Sequence, residues 1–350
     1  MQRVWINKSY SSVHAALMLI RQADVAQDYH LVYSHTQAHA LPLFAAHEAH
    51  IEPSNLTGAA YLDWCLHFCR QQVIHIFWPH REAALIAANS ARFLAQGTRV
   101  FNIASEAVLH LLHDKARFYE ASRDLLLPPA EFVAVNNLEQ FDIAYQDLRS
   151  RHEKLCFKPA ISVYGLGFAQ IDEKRSSAQI LMEGEQYQIG LHDLRRGLVE
   201  QGSFKTMLLM EFLAGNEYSV DTLADNGRLI CAVPRRKSLK QGHGQRIDLR
   251  TDILQAVQQL IERHQLNGLF NVQFRQGKNG LALLEINARM SGGVGMACMA
   301  GPNLPYLALR GFDVGYAHLA ITAIEDQLRV SEFSTPVALR NPPLSAQAES

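Results

Sequence analysis

The chain has 350 residues, 48% of them hydrophobic and 19% charged, and 33 Lys and Arg against 34 Asp and Glu give a formal net charge of −1. This length suits two or three domains, and the composition excludes wholesale disorder, a collagen-like repeat and a long coiled coil. A near-neutral chain is not a generic nucleic-acid binder, so we expect no nucleic-acid partner.

Five cysteines without a CxxC pair indicate a reducing compartment. The N-terminus lacks the apolar core of a signal peptide, and no run of 18 apolar residues is present. We therefore predict a cytoplasmic protein that does not interact with a membrane.

Strand and helix patterns alternate through the first 104 residues. Short apolar strands are predicted at Val4–Ile6, His30–Tyr33, Val73–Trp78 and Arg99–Ile103, and helices at Ala59–Gln71 and Glu82–Ala95. Repeated strand–helix units predict a parallel, doubly wound sheet. No GxGxxG follows the first strand, which argues against an ordinary dinucleotide-binding half.

The next hundred residues mix helices and strands. Helices are predicted at Ser105–His113 and Asp114–Asp124, the second capped by Asp114, and strands at Phe132–Val135 and Lys154–Lys158. Residues 168–205 contain a charged stretch and a helix-like stretch around His192–Glu200. They are candidates for substrate recognition.

From about residue 206 the pattern predicts an antiparallel sheet with helices. Its strands are predicted at Met207–Phe212, Tyr218–Leu223, Leu229–Val233, Leu269–Arg275 and Leu281–Asn287. Thr251 is predicted to cap a helix that Gly268 ends. The chain closes with a Pro-, Ser- and Ala-rich tail whose last residues we expect to be flexible.

Polar side chains line one side of the last predicted hairpin. Glu285, Asn287 and Arg289 are spaced i, i+2 and i+4, and the partner strand contributes Asn271, Gln273 and Arg275, while Ala282, Leu284 and Ile286 form the apolar face. Carboxylate and amide oxygens of this kind suit Mg²⁺. The alternative is a half-solvated sheet with a polar outer face. The Ser291-Gly292-Gly293 segment that follows favours close approach of a ligand to the backbone.

A lysine and a glycine-containing loop follow the strand that ends at Lys158. The ammonium group provides a point charge for a phosphate. Gly165 and Gly167 leave backbone N–H groups accessible, and these groups can bind the same phosphate. The loop, which includes Ser162, is not a Walker A loop. The alternative is an ordinary surface lysine before a loop.

A short linker connects the predicted strand that ends near Glu211-Phe212-Leu213 to the one that begins at Glu217. Free backbone N–H and C=O groups at such an edge can form hydrogen bonds to a purine base, and a nearby carboxylate can bind ribose hydroxyls. The alternative is an ordinary hairpin connection with solvated acids.

The order of these three motifs resembles the ATP-grasp superfamily, in particular its carbamoyl-phosphate-synthase-like and biotin-carboxylase-like branch. The resemblance covers roughly residues 1–320. It implies an α/β lead-in domain with a parallel sheet (1–104), followed by an α+β ATP-grasp domain with an antiparallel sheet (105–325). Within the second domain, 105–205 would be a small lid-bearing subdomain and 206–325 a metal-binding antiparallel subdomain. Residues 326–350 would be a C-terminal extension.

The resemblance also implies roles for individual residues. Lys115 and Lys158 would contact phosphates together with Ser162, Gly165 and Gly167. Glu211, Phe212 and Leu213 would bind adenine, and Glu217 the ribose. Gln273, Glu285 and Asn287 would bind the metal, with Glu285 bridging two ions. Arg289 would act with Lys158 in catalysis, beside the γ-phosphate. Arg235 and Lys237 would approach a phosphate or the substrate acid.

The implied function is an ATP- and Mg²⁺- (or Mn²⁺-) dependent ligase that activates a carboxylate as an acyl phosphate for attack by an amine. Its partners would be the carboxylate and amine substrates. The resemblance leaves open whether the chain forms a homodimer. One alternative is a carboxyphosphate-forming enzyme that uses bicarbonate. Another is a catalytically silent nucleotide sensor, which the glycine-poor loop motivates. Stand-alone ATP-grasp proteins linked to stress or tellurite-resistance gene clusters also resemble this layout.

Overall fold

The computed structural model describes residues 1–9, 13–162, 166–239, 244–339 and 342. The chain forms two compact units. The first contains Met1–His110, Tyr218–Gln273 and Ile286–Ser350, and the second contains Leu111–Glu217 and Phe274–Glu285. The domain boundaries expected from the sequence stay a prediction, and the tail residues 343–350 lie outside the described residues.

A five-stranded parallel sheet opens the first unit, as the strand–helix alternation predicted. Its strands are β1 (Gln2–Ile6), β2 (Tyr29–His35), β3 (Glu48–Ile51), β4 (Ile76–Trp78) and β5 (Arg99–Val100). Their order is β3-β2-β1-β4-β5, and Val4 of β1 lies opposite Leu31 and Ile76. The sequence patterns missed β3, which is a short strand of mixed polarity.

The helices of this region are α1 (His14–Ala23), α2 (Gly58–Gln71), α3 (Ala83–Ala88), α4 (Ser90–Leu94) and α5 (Glu106–His113). The prediction of one helix over Glu82–Ala95 is wrong, because the chain breaks at Asn89. The Asn89 side chain donates a hydrogen bond to the carbonyl of Leu85, and Ser90 Oγ donates to the carbonyl of Ala87. Such local side-chain bonds compete with helical pairing.

The second unit is built on a mixed five-stranded sheet. Its elements are α6 (Lys115–Glu120), β6 (Phe132–Asn137), α7 (Leu138–Arg151), β7 (Leu155–Pro159), β8 (Ala169–Asp172), α8 (Ser177–Met182), β9 (Gln188–Gly190), α9 (Leu191–Gln201) and β10 (Ser203–Glu211). The strand order is β6-β10-β7-β8-β9. Phe141 and Leu148 of α7 pack with Phe157 and Leu209 in the core of this unit.

The rest of the chain forms a six-stranded sheet with helices. Its elements are β11 (Glu217–Asp225), β12 (Arg228–Lys237), β13 (Gln245–Ile247), α10 (Thr251–His264), β14 (Gly268–Gly277), β15 (Gly280–Asn287), α11 (Val294–Cys298), α12 (Leu304–Val314) and β16 (Arg329–Val330). The strand order is β15-β14-β11-β12-β13-β16, and the β11–β12, β12–β13 and β13–β16 pairs are antiparallel. The expected fold class, a parallel-sheet α/β region followed by an α+β region, is confirmed.

Three local expectations need correction. Thr251 is the first residue of α10 and not its cap, since Arg250 holds the cap position without a side-chain cap bond. The helix ends at His264, where Gln265 adopts a left-handed conformation, and not at Gly268. The buried side chains of β15 are Leu281, Leu283 and Ile286, so the apolar face does not follow strict alternation.

A single hydrophobic core joins the N-terminal parallel sheet to the C-terminal helices within the first unit. Val4 and Leu17 share this core with Val233, Leu269 and Leu307, all of them fully or almost fully buried. Among the described residues, no helix combines the length and the apolar character that a membrane span requires.

Candidate functional site

Lys115 is the first residue of α6, where the carboxylate of Asp114 accepts a hydrogen bond from the N–H of Ala116 at 3.0 Å and caps the helix as predicted. Lys115 is only 8% exposed. Its Nζ lies 3.3 Å from a carboxylate oxygen of Glu285 and donates to the carbonyl of Ser162 at 3.2 Å. The second unit thus brings together three predicted site residues from distant segments.

Lys158 lies in β7, and its Nζ donates a hydrogen bond to the hydroxyl of Tyr119 at 2.9 Å. That hydroxyl donates in turn to the carbonyl of Leu284 at 2.6 Å. Burial alone would lower the pKa of Lys158, but Tyr119 and the charge of Glu285 outweigh burial and raise the pKa. Lys158 is therefore a cation at neutral pH.

Tyr119 was not identified from the sequence. It lies four residues after Lys115 in α6, so the two side chains share one helix face. Burial raises the pKa of its hydroxyl, which therefore stays neutral beside Lys158. The i, i+4 spacing was the available signal, but it cannot indicate that β7 packs against this face.

The charges of this cluster do not cancel. The ammonium groups of Lys115 and Lys158 act on the single carboxylate of Glu285, and all three belong to the second unit. A mostly buried surplus of positive charge is costly unless an anion is bound. The cluster therefore fits a ligand with several negative charges, such as a polyphosphate.

The glycine loop after β7 is described only in part, because Gly165 lies outside the described residues. Gly167 has a φ of +80°, in the region that favours glycine. A Cβ atom placed on it would lie 2.8 Å from Cγ of Pro159, the residue after Lys158. Gly167 is therefore held against the end of β7, close in sequence to the lysine.

The linker between β10 and β11 is fixed by the end of β14. The N–H of Gly215 donates to the carbonyl of Gln276 at 2.9 Å, and the N–H of Gln276 donates to the carbonyl of Asn216 at 2.9 Å. Arg275 Nε donates to the carbonyl of Gly215 at 3.2 Å. This pairing places Glu217, the first residue of β11, directly after a rigid linker.

Leu213 lies at the start of this linker and is 6% exposed. The N–H groups of Glu211 and Phe212 donate to the carbonyls of Glu131 and Lys154, each at 3.0 Å. Within the described parts of the chain, the N–H and C=O of Leu213 form no hydrogen bond. Buried backbone groups are normally paired, so an unpaired peptide here is suited to hydrogen-bonding a ligand.

The remaining predicted site residues lie in the first unit, on the strands β14 and β15 and just after them. Gln273 Nε2 donates to Oδ1 of Asn271 at 3.3 Å. Arg289 Nη2 lies 3.5 Å from Oδ1 of Asn287, and the N–H of Arg289 donates to the carbonyl of Asn287 at 2.7 Å. The amide oxygen of Asn287 and the guanidinium group of Arg289 are thus held close to each other.

Arg235 is a buried residue of β12. It is 1% exposed, and its Nη2 lies 2.8 Å from a carboxylate oxygen of Asp221, which is itself fully buried. Its Nη2 also donates to the hydroxyls of Ser219 and Ser291 at 3.2 and 3.1 Å. A guanidinium with these partners is held in the protein interior, and the expected approach of Arg235 and Lys237 to a phosphate or an acid stays a prediction.

A separate polar cleft of about 610 Å³ lies in the first unit. It is lined by amide side chains, including Asn102, Asn226 and Asn267, and by the rings of Phe312 and Tyr316. Its described lining includes none of the predicted site residues. The sequence motifs therefore assign no function to this cleft.

Comparison with known proteins agrees with the motif order. Residues 203–336 match a family model described as "ATP-grasp in the biosynthetic pathway with Ter operon". The structure is similar to N5-carboxyaminoimidazole synthetase from Staphylococcus aureus complexed with ADP, at 14% identity and a TM-score of 0.65, over 93% of this chain and 80% of that one. The chain has an ATP-grasp fold. Comparison with curated proteins gave no sequence match.

Two further solved structures are similar to the chain. One is the biotin carboxylase domain of Hydrogenobacter thermophilus 2-oxoglutarate carboxylase with MgADP, ADP and bicarbonate, at 14% identity and a TM-score of 0.62, covering 91% of this chain and 71% of that one. The other is L-amino acid ligase from Bacillus licheniformis, at 15% identity and a TM-score of 0.61, covering 89% and 74%. These similarities confirm the ATP-grasp fold that the resemblance implies.

Proposed function

We propose that the chain is an ATP- and Mg²⁺-dependent ligase that activates a carboxylate as an acyl phosphate for attack by an amine, with release of ADP and phosphate. The observation that carries this proposal is the Lys115–Glu285 contact at 3.3 Å beside Lys158. Two cations and a carboxylate that suits a divalent ion match the charge of a metal–polyphosphate complex.

The nucleotide would lie between the lysines and the β10–β11 linker. Leu213, whose peptide forms no hydrogen bond within the described residues, would bind the adenine edge together with Glu211 at the end of β10 and Phe212. Glu217 would bind the ribose hydroxyls. Lys115, Lys158, Ser162, Gly165 and Gly167 would hold the phosphates, because ammonium and backbone N–H groups both donate to phosphate oxygens.

Gln273, Glu285 and Asn287 would hold Mg²⁺, or Mn²⁺ in its place, and this oxygen-only set fits a hard cation. The bound ion would offset the negative charge that develops between ATP and the acid. Among the described residues, Gln273 Oε1 accepts no hydrogen bond, which leaves an acceptor for this purpose.

The protein groups act by position and charge. Lys158 and Arg289 would stabilise the γ-phosphoryl group of ATP while a carboxylate oxygen of the substrate attacks its phosphorus. The bond from that phosphorus to the β,γ-bridging oxygen breaks, and ADP leaves with the electron pair. The amine nitrogen then attacks the acyl carbon, the C–O bond to phosphate breaks, and phosphate leaves with the electron pair. The attacking amine loses a proton to solvent or base.

Phosphate release from Mg-ATP, in the presence of pooled amino acids and small carboxylic acids, tests this proposal. The wild type is compared with Glu285→Ala and with Glu153→Ala, an exposed acid of the same unit. We expect release that needs both an acid and an amine, is lost in Glu285→Ala and is retained in Glu153→Ala.

Unchanged turnover in Glu285→Ala would refute the metal assignment. Release that requires bicarbonate instead of an organic acid would support the carboxyphosphate-forming alternative. Binding of Mg-ADP without turnover in any pool would favour the nucleotide sensor. The cytoplasmic location and a homodimer remain predictions.

A further inference from the structure

Arg235 and Asp221 form a buried ion pair in the core of the β11–β12 ladder, where Ser219 lies opposite Arg235. Arg235 Nε donates to Asp221 Oδ2 at 2.9 Å, and its Nη2 lies 2.8 Å from the same atom. The side chains are 2% and 1% exposed. Such a pair is costly to bury and adds little net stability by itself. Its connection through Asn271 to Gln273, a predicted metal ligand, points to a different role.

The donors and acceptors around the pair fix the orientation of Asn271. Its Nδ2 donates to Ser219 Oγ at 3.0 Å and approaches Asp221 Oδ1 at 3.4 Å. If the amide were reversed, its oxygen would face the Asp221 carboxylate, and two acceptors would repel each other. Asn271 is 1% exposed, so no bulk water can relieve that conflict.

The orientation of Asn271 determines that of Gln273. Since Asn271 Nδ2 is used by Ser219 and Asp221, only its Oδ1 remains, and this atom accepts from Gln273 Nε2 at 3.3 Å. The nitrogen of the Gln273 amide is therefore already used in this hydrogen bond. Its oxygen diverges from the same carbon, toward the side away from Asn271, and accepts no hydrogen bond from the described residues.

We propose that the Arg235–Asp221 pair is a positioning device that acts through Asn271 to present the Gln273 oxygen, and not its NH₂ group, to a divalent cation. This inference rests on the proposed function, because it takes Gln273 to be a metal ligand. A glutamine needs such a device, since its amide can turn either end toward the ion and the NH₂ end would repel it. A carboxylate has two equivalent oxygens and needs none. Outer residues that orient ligands commonly change metal affinity by about 10- to 100-fold.

The test measures Mn²⁺ affinity of the full-length protein in the presence of ADP, by electron paramagnetic resonance of free Mn²⁺. Asn271→Leu, a substitution of similar size, removes the acceptor for Gln273 and leaves Arg235 and Asp221 paired. It is measured in the wild-type background and in the Gln273→Glu background. Gln245→Met is the matched control, because Gln245 also accepts from Arg235 but has no bond to Asn271.

We expect Asn271→Leu to weaken Mn²⁺ binding by about tenfold in the wild-type background. We expect no loss in the Gln273→Glu background and no loss in Gln245→Met. Equal loss in both backgrounds would show a general structural effect and overturn the inference, as would no loss in either. Ser219→Ala is a milder variant that removes one acceptor of Asn271 Nδ2. It should weaken Mn²⁺ binding by a smaller factor, again only when residue 273 is Gln. It replaces Asn271→Leu in the test if that variant does not fold.

Two further variants separate this inference from the proposed function. If Glu285→Ala leaves Mn²⁺ affinity unchanged, the proposed metal site itself is wrong. If Glu285→Ala abolishes Mn²⁺ binding but Gln273→Ala does not affect it, the metal site stands and the positioning inference is overturned.

Discussion

The Nζ of Lys115 lies 3.3 Å from the carboxylate of Glu285, and the two side chains are 11% and 27% exposed. One residue opens a helix and the other lies near the end of a strand much later in the chain. In the structure Lys115 and Glu285 form an ion pair, and Lys158 adds a second positive charge. The chemistry proposed for the chain depends on this arrangement.

The first prediction concerns Lys115. Lys115→Met should weaken binding of Mg-ADP by about tenfold, or about 1.4 kcal/mol, because a charge-assisted bond to phosphate is lost. Calorimetric titration measures the affinity. Lys174→Met, which removes an exposed lysine of the same unit, should leave the affinity unchanged. Equal affinity in Lys115→Met and wild type would remove Lys115 from the nucleotide site.

The second prediction concerns Tyr119. Tyr119→Phe removes the hydroxyl that accepts from Lys158 and donates to Leu284. Turnover of Mg-ATP should fall several-fold, and the free energy of unfolding should fall by about 1 kcal/mol. Steady-state kinetics and urea unfolding check the two effects. Unchanged turnover with reduced stability would assign Tyr119 a structural role only.

The surroundings of Lys158 also predict a pH dependence. Because its folded-state pKa is raised, its contribution to stability is present below the ordinary lysine value of about 10.4 and is lost only as pH rises through the folded pKa. The pH profile of Mg-ATP turnover should therefore show no loss that comes from Lys158 at or below about pH 10. A loss near pH 8 that disappears in Tyr119→Phe would contradict this.

The third prediction concerns Gly277, which lies against the β10–β11 linker. A Cβ atom there would lie 2.7 Å from Cδ2 of Leu213, so Gly277→Ala should displace Leu213 and weaken ADP binding several-fold. Gly197→Ala is the control, because a Cβ atom at this position of α9 has nothing within 4 Å. It should leave ADP affinity unchanged and raise stability by about 0.5–1 kcal/mol. Unaltered affinity in Gly277→Ala would exclude this contact from nucleotide binding.

The fourth prediction concerns acid stability. Both ring nitrogens of His80 are buried without a hydrogen-bond partner among the described residues. Burial, aided by the charge of Arg289, lowers the pKa of His80 to about 3. Since the unfolded state takes up the proton first, stability is full above about pH 6.5 and declines below it, by at most about 1.4 kcal/mol per pH unit.

Thermal melting between pH 4 and pH 7 measures that decline. His80→Asn should flatten the dependence of the melting temperature on pH, whereas His67→Asn, at an exposed position of α2, should not. Parallel curves for wild type and His80→Asn would show that another group controls acid unfolding.

Much of the fold could be predicted because its signals are local. The strands at Val4–Ile6 and Leu281–Asn287, and the capping of α6 by Asp114, follow from short runs rich in apolar residues and from side-chain chemistry within a few residues. The failures are also local in origin. At Asn89 side-chain bonds to the backbone interrupt a helical pattern, and β3 carries too few apolar residues to be recognised.

The sequence predicted which residues form the candidate site, but not how these residues are arranged in space. Spacing along β15 indicated that Glu285 and Asn287 share a face, and the order of the motifs indicated their family. The roles of these residues remain predictions. Tyr119 was missed, and Asn271 was placed on the polar side of the hairpin without a role of its own, because their roles depend on what they contact, namely Lys158 and Gln273.

The sequence by itself determined most of the strands and helices, the family resemblance and the residue types available for catalysis. The tertiary structure alone decided that Lys115 contacts Glu285, that Arg235 is buried against Asp221 and that the Leu213 peptide forms no hydrogen bond within the described residues. The physical reason is distance along the chain. Helix and strand periodicity depend on neighbours within a few residues, whereas burial and charge pairing depend on segments that only folding brings together.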